Sequence, residues 1–148
     1  MLYLASDHRG FKAKEKLKEY LKKLSVKFED LGNEILDSED DFPDFAKKVA
    51  EKVSQNPQNR GILICGSGLG MAICANKFKN VRACPCFKEE MARVAKKHLN
   101  CNILCLGADF LTLDKIKKIV KVWLDTKFER KKKYQRRIKK ISIYENTK

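Results

Sequence analysis

The 148-residue chain is 43% apolar and 35% charged, with 33 Lys/Arg against 19 Asp/Glu and a net charge of +14. This length fits one domain with a proper core. No apolar run is long enough to span a bilayer, and Asp7, His8 and Arg9 within the first ten residues argue against a secretory signal, so a cytoplasmic location without membrane contact is expected.

In chain order, Met1–Ala5 reads as a short strand ending in Ser6-Asp-His-Arg-Gly10. Apolar residues at 11, 13, 17, 20, 21 and 24 predict a helix over Phe11–Leu24. Ser25–Leu31 alternates like a strand and closes at Gly32-Asn33; Glu34–Asp41 is an acidic loop. Pro43 opens a helix through Val53, and Asn56–Gly61 is a loop. A strand then runs to Cys65, followed by a glycine loop and a helix over Met71–Phe78. Val81–Cys86 is a strand whose Pro85 implies an edge or an irregular end. Helix Lys88–His98, strand Cys101–Leu106, helix Leu113–Phe128 and a basic helix over Arg130–Ile141 complete the chain.

Five strands alternating with helices predict a three-layer α/β sandwich: a five-stranded, mostly parallel sheet with helices on both faces, in a single domain over 1–148. Ligands of such sheets bind at the carboxyl ends of strands. Three polar clusters fall there: Asp7-His8, Cys65 to Gly70, and Asp109. The six cysteines (65, 74, 84, 86, 101, 105) sit mostly within apolar runs of a chain that is not a small loop-rich scaffold, which favours reduced thiols. With no CxxC pair and two histidines in all, no metal is expected. The charge is uneven: Lys115–Lys148 holds 14 basic and 3 acidic side chains, a net of +11, against +3 for the first 114 residues. A basic segment over about 129–148 suits a polyanion, a phosphate clamp or a solvated helix face, and charge alone does not choose among them. It lacks the interleaved aromatics of a stacking platform for nucleic acid.

The most informative stretch is Ile62-Leu-Ile-Cys65-Gly-Ser67-Gly-Leu-Gly70. It is not a dinucleotide fingerprint, because it follows the third strand and its third glycine comes one place early. A P-loop requires Gly-Lys-Ser/Thr, and Gly70 is followed by Met71; a cysteine phosphatase requires arginine at that same position. What remains is a thiol beside closely approachable backbone amides, an arrangement that suits proton transfer next to a developing oxyanion. A buried structural cysteine is the plainer use of such a residue; the Gly-Ser-Gly-x-Gly continuation favours the chemical one.

Together with these residues, Ala5-Ser-Asp7-His8-Arg-Gly10-Phe11, Asp41-Phe-Pro43-Asp44, Ala75-Asn-Lys77, Val81-Arg82-Ala83, His98, Asn102-Ile-Leu and Gln135-Arg-Arg137 make the chain resemble the type B ribose-5-phosphate isomerases. That family also includes the galactose-6-phosphate isomerase subunits, and the resemblance covers essentially the whole chain. It implies a Rossmann-like fold, no metal or organic cofactor, a homodimer or tetramer with composite active sites, and interconversion of D-ribose 5-phosphate and D-ribulose 5-phosphate in the pentose phosphate pathway. By the same resemblance Cys65 is the base moving a proton between C1 and C2 through a cis-enediolate. Ser67 relays a proton between the oxygens, and the amides of Gly66, Gly68, Leu69, Gly70 and Met71 hold the enediolate. His98 with Asp7 opens the furanose ring, while His8, Lys133 and Arg137 bind phosphate. The chain departs from the family's pattern at Leu99, where Asn is usual, at Asp109, where many have Arg, and at Lys133, where the first tail arginine stands. A six-carbon sugar phosphate, such as allose or galactose 6-phosphate, is the alternative substrate. An inactive relative that senses a sugar phosphate and a nucleic-acid-binding module are the readings from other classes.

Overall fold

A computed structural model describes residues 1–145; the last three residues of the predicted basic segment lie outside the described residues. Strands Leu2–Ser6 (β1), Phe28–Asp30 (β2), Arg60–Cys65 (β3), Ala83–Pro85 (β4) and Ile103–Gly107 (β5) form one sheet in the order β2-β1-β3-β5-β4. Every pairing is parallel. The helices among the described residues are Phe11–Lys23 (α1), Phe42–Gln55 (α2), Leu69–Ala75 (α3), Glu89–Leu99 (α4), Leu113–Asp125 (α5) and Lys132–Tyr144 (α6). The α/β sandwich read from the sequence is the fold, with Pro85 on an edge strand as its missing N–H requires.

Strand residues alternate between two cores, as their period of two dictates. Leu2, Leu4, Ile62, Ile64, Leu104 and Leu106 pack under α1, α4 and α5, with Trp123 fully buried among them. On the other face Tyr3, Ala5, Leu63, Cys65, Ile103 and Cys105 pack under α2 and α3. At about 25 cal/mol per Å² of apolar surface, these two layers supply the main driving force of folding.

Several elements differ in length from the sequence reading, each for a local reason. The second strand is only three residues long because the preceding amides belong to α1: Ser25 N–H donates to Lys22 and Val26 N–H to Leu21. The helix after the glycine loop ends at Ala75, not Phe78, because the Asn76 side chain is used elsewhere. Its amide nitrogen donates to the Ala83 carbonyl and its oxygen accepts from the Ala83 amide, both at 2.9 Å. The fifth helix stops at Asp125, and the following segment reaches the end of α4, where Glu129 N–H donates to Lys97 at 2.9 Å. Asn100 ends α4 in the left-handed conformation that Asn tolerates. From there α6 crosses the amino edge of the sheet: Tyr134 stacks on His98, and Glu145 accepts from the Asn80 amide at 3.0 Å.

Candidate active site

The chain passes from β1 to β2 on one side and to β3 on the other, so β1 and β3 flank the point where the winding direction reverses, the place where open parallel sheets leave a crevice. Ser6 pairs with Ile64 and Cys65 with Gly107, and Asp7 N–H donates to the Ile64 carbonyl at 3.3 Å. Asp7, Cys65 and the turn after β5 therefore stand side by side at the carboxyl edge.

Cys65 is 5% exposed, and its sulfur accepts the Gly68 N–H at 3.1 Å. The Ser67 hydroxyl accepts from the Leu69 amide at 3.2 Å. Gly68 has φ +77°, and a Cβ there would lie 2.9 Å from the Leu106 carbonyl carbon, so both backbone conformation and space require glycine. Gly66 lies beneath two side chains: a Cβ would stand 2.6 Å from Asp109 Oδ2 and 2.7 Å from Arg9 Nε. Ala108 and Asp109 amides donate to the carbonyls of Cys65 and Gly66 at 2.8 and 2.9 Å, stitching the two loops together. Over Gly70 lies the Phe42 ring, 2.7 Å from where a Cβ would be, so the start of α2 closes onto the glycine loop. Leu69 is half-exposed and Met71 fully buried; what Met71 offers this site is its main chain. With only seven residues, α3 contributes less dipole than the predicted helix, and the loop amides carry that part of the argument.

Asp7 is 5% exposed, and its Oδ1 accepts the Gly10 amide at 3.0 Å. Burial raises its pKa, against the opposing pull of that hydrogen bond and of His8. His8 is tied through both its backbone N–H (2.9 Å) and Nδ1 (2.7 Å) to Asp40 Oδ1. The hydrogen bond to Asp40 raises the imidazole pKa and leaves Nε2 uncommitted. Asn33 donates to the second Asp40 oxygen at 3.2 Å. Sequence reading missed Asp40: it is one of several acids in the 34–41 loop, with nothing local to single it out.

Asp109, where a cation is usual, meets one instead. Arg9 Nε and Nη2 donate to Asp109 Oδ2 at 3.0 and 2.6 Å, and this pair lies over Gly66. The contact raises the pKa of the already strong base Arg9. A guanidinium thus stands beside the glycine loop, supplied by the loop after β1.

His98, Lys133 and Arg137 are not part of this cluster. His98 ends α4 and precedes β5, which places it at the amino edge, about 13 Å away along the strands at ~3.3 Å per residue. Its ring stacks on Tyr134 at 4.4 Å and 18°. Lys133 and Arg137 are exposed on α6. Other residues of the resemblance are scaffolding: Asn76 brackets Ala83, Asn102 accepts from Arg82 N–H at 2.7 Å and donates to Asn80 at 2.7 Å, and Arg82 caps carbonyls at the end of α4. All six cysteines are free thiols.

The chain matches the Ribose/Galactose Isomerase family over residues 2–141. It is 32% identical to ribose-5-phosphate isomerase B of Mycolicibacterium paratuberculosis over 146 residues, 99% of this chain and 92% of that protein. Among solved structures it is similar to ribose-5-phosphate isomerase B of Mycoplasma genitalium with bound ribulose 5-phosphate, at 42% identity and TM-score 0.95, covering 99% of this chain and 97% of that one. The corresponding Thermotoga maritima structure is 41% identical with TM-score 0.90, covering 96% and 97%.

Proposed function

The chain belongs to the Ribose/Galactose Isomerase family, and from this we infer that it is an aldose–ketose isomerase interconverting D-ribose 5-phosphate and D-ribulose 5-phosphate. The observation that carries the mechanism is the Cys65 thiol at the end of β3, held by the Gly68 amide inside a ring of loop amides. Cys65 takes the C2 proton of the open-chain aldose and returns it to C1. The charge that develops on the two oxygens is an enediolate, held by the amides from Gly66 to Met71. Ser67 moves the proton between O1 and O2. His8, oriented by Asp40, and Arg9, oriented by Asp109, supply positive groups for the phosphate on this side. Phe42 closing over Gly70 favours a five-carbon over a six-carbon chain.

His98, Lys133 and Arg137 complete the site from a second copy of the chain. A two-fold pairing that runs two sheets antiparallel sets the amino edge of one chain against the carboxyl edge of the other. Exposed Leu69 and Ile73 on α3, and Met91, Val94 and Leu99 along α4 beside edge strand β4, supply apolar surface for such a pairing. The partner's end of the site then brings His98, which with Asp7 opens the furanose ring, and the Lys133 and Arg137 cations for phosphate. The six thiols support action in a reducing, cytoplasmic compartment. A coupled assay tests the substrate: turnover of ribose 5-phosphate exceeding that of allose 6-phosphate and galactose 6-phosphate supports this reading. A preference for a six-carbon sugar assigns the alternative substrate, and no turnover of any of them leaves a sensor.

A further inference from the structure

At the amino edge of the sheet, away from Cys65, a polar cavity of about 420 Å³ opens between the loop before β3 and the α5–α6 connection. Four cations line it: Arg60, Arg82, Lys96 and Arg130. No carboxylate lines it, and among the described residues none of the four is in an ion pair. Of the acids on the segments beside it, Glu129 pairs with Lys131 and Lys97, and Glu145 binds the Asn80 amide and acts on Arg82 from a distance.

Two of the cations are fixed by the scaffold. Arg82 Nε donates to the carbonyls of Leu99 and Asn100 at 3.0 and 3.2 Å, and Lys96 Nζ to that of Cys101 at 3.2 Å. Both Lys96 and Arg60 also lie over the buried Trp123 ring, at 5.3 and 5.9 Å. The guanidinium groups of Arg60 and Arg130 have no hydrogen-bond acceptor among the described residues. Burial pushes Arg60, Arg82 and Lys96 below their ordinary pKa values, and the positive charges of Arg60 and Arg82 lower Lys96 further.

We propose that this cavity binds a small anion carrying two adjacent phosphoryl groups, such as pyrophosphate or the terminal phosphates of a nucleotide. Four cations lining one cavity exceed what one phosphate needs, and guanidinium forks match phosphoryl oxygens. The volume falls in the usual range for small-molecule sites. Phe128 in the wall adds an apolar surface for whatever the phosphates carry. His98, Lys133 and Arg137, the amino-edge groups assigned to the neighbour's sugar phosphate, do not line this cavity, so the two anions have separate sites.

Titration calorimetry of the full chain with inorganic pyrophosphate, in saturating ribose 5-phosphate and about 0.1 M salt, tests this. One pyrophosphate per chain is expected, at least tenfold tighter than orthophosphate. Arg130→Met, at an exposed position, and Arg60→Met, which keeps an apolar stem on Trp123, should each weaken it about tenfold. Both should leave KM for ribose 5-phosphate unchanged, and melting curves establish that the variants fold. Pyrophosphate binding no tighter than orthophosphate, binding that ribose 5-phosphate displaces, binding untouched by both variants, or heat seen only with single-stranded RNA would each overturn the assignment.

Discussion

At the carboxyl edge of the sheet the loops after β1, β2, β3 and β5 are held in place: Gly68 bonds Cys65 within the glycine loop, Asp40 bonds His8, and Asp109 bonds Arg9 across Gly66. At the amino edge the His98 ring stacks on Tyr134, and Lys133 and Arg137 of α6 are exposed. The first edge is a preorganised half of a site, with its acceptors and donors already committed. The second presents groups of the right chemistry to something outside the chain. In the composite site proposed above, one subunit supplies a base and an oxyanion cradle, and its ring-opening and phosphate groups serve a neighbour.

The sharpest break in this contrast is Cys65→Ala, which should lower kcat by about 10²–10⁴, the usual worth of a positioned base. Circular dichroism should remain native, and near-normal turnover would remove Cys65 from the mechanism. Gly68→Ala attacks the cradle itself, since φ +77° and the 2.9 Å approach to Leu106 leave no room. A loss of about 1–3 kcal/mol in a denaturant melt is expected, together with reduced kcat. Arg9→Ala tests whether the guanidinium next to Asp109 serves the phosphate: KM should rise about tenfold with kcat little changed, the mark of uniform binding. An unchanged KM would make the pair a structural latch.

The smallest effect concerns His8. Its pKa lies above the ordinary 6.5 because Asp40 stabilises the charged ring. The stability this provides is fully present below the unfolded value and is lost as pH rises through the raised folded value. In Asp40→Asn the proton NMR titration of His8 should move back toward 6.5, and the stability–pH slope in that window should flatten. A titration unmoved by the substitution would separate Asp40 from His8.

What was legible in the sequence is what neighbouring residues determine. Five apolar runs separated by helical periods dictate the parallel sheet, Pro85 marks its edge, and Gly66, Gly68 and Gly70 announce a backbone held close to something at Cys65. What was hidden depends on contacts between distant positions. Arg9 and Asp109 are 100 residues apart, and the sequence reading puts Asp109 at the carboxyl edge without naming its partner. Asp40 is 32 residues from His8. Lys14, outside the apolar period of α1, is fully buried and donates to Glu15, Asp30 and the Asn33 carbonyl, fixing the loop that leads to Asp40. The separation of His98 from Cys65 follows only from strand direction: a residue that ends a helix before a parallel strand falls at the opposite edge from one that ends a strand.

That separation gives the most direct test of the composite site. Cys65→Ala and His98→Ala chains, each nearly inactive alone, are co-expressed with different tags and the mixed dimers assayed on ribose 5-phosphate. In each mixed dimer one of the two sites has both an intact Cys65 and an intact His98 from different chains, so activity of about half that of wild type is predicted. Mixed dimers that form and remain as inactive as either parent would contradict the claim that one chain's carboxyl edge is completed by the other's amino edge.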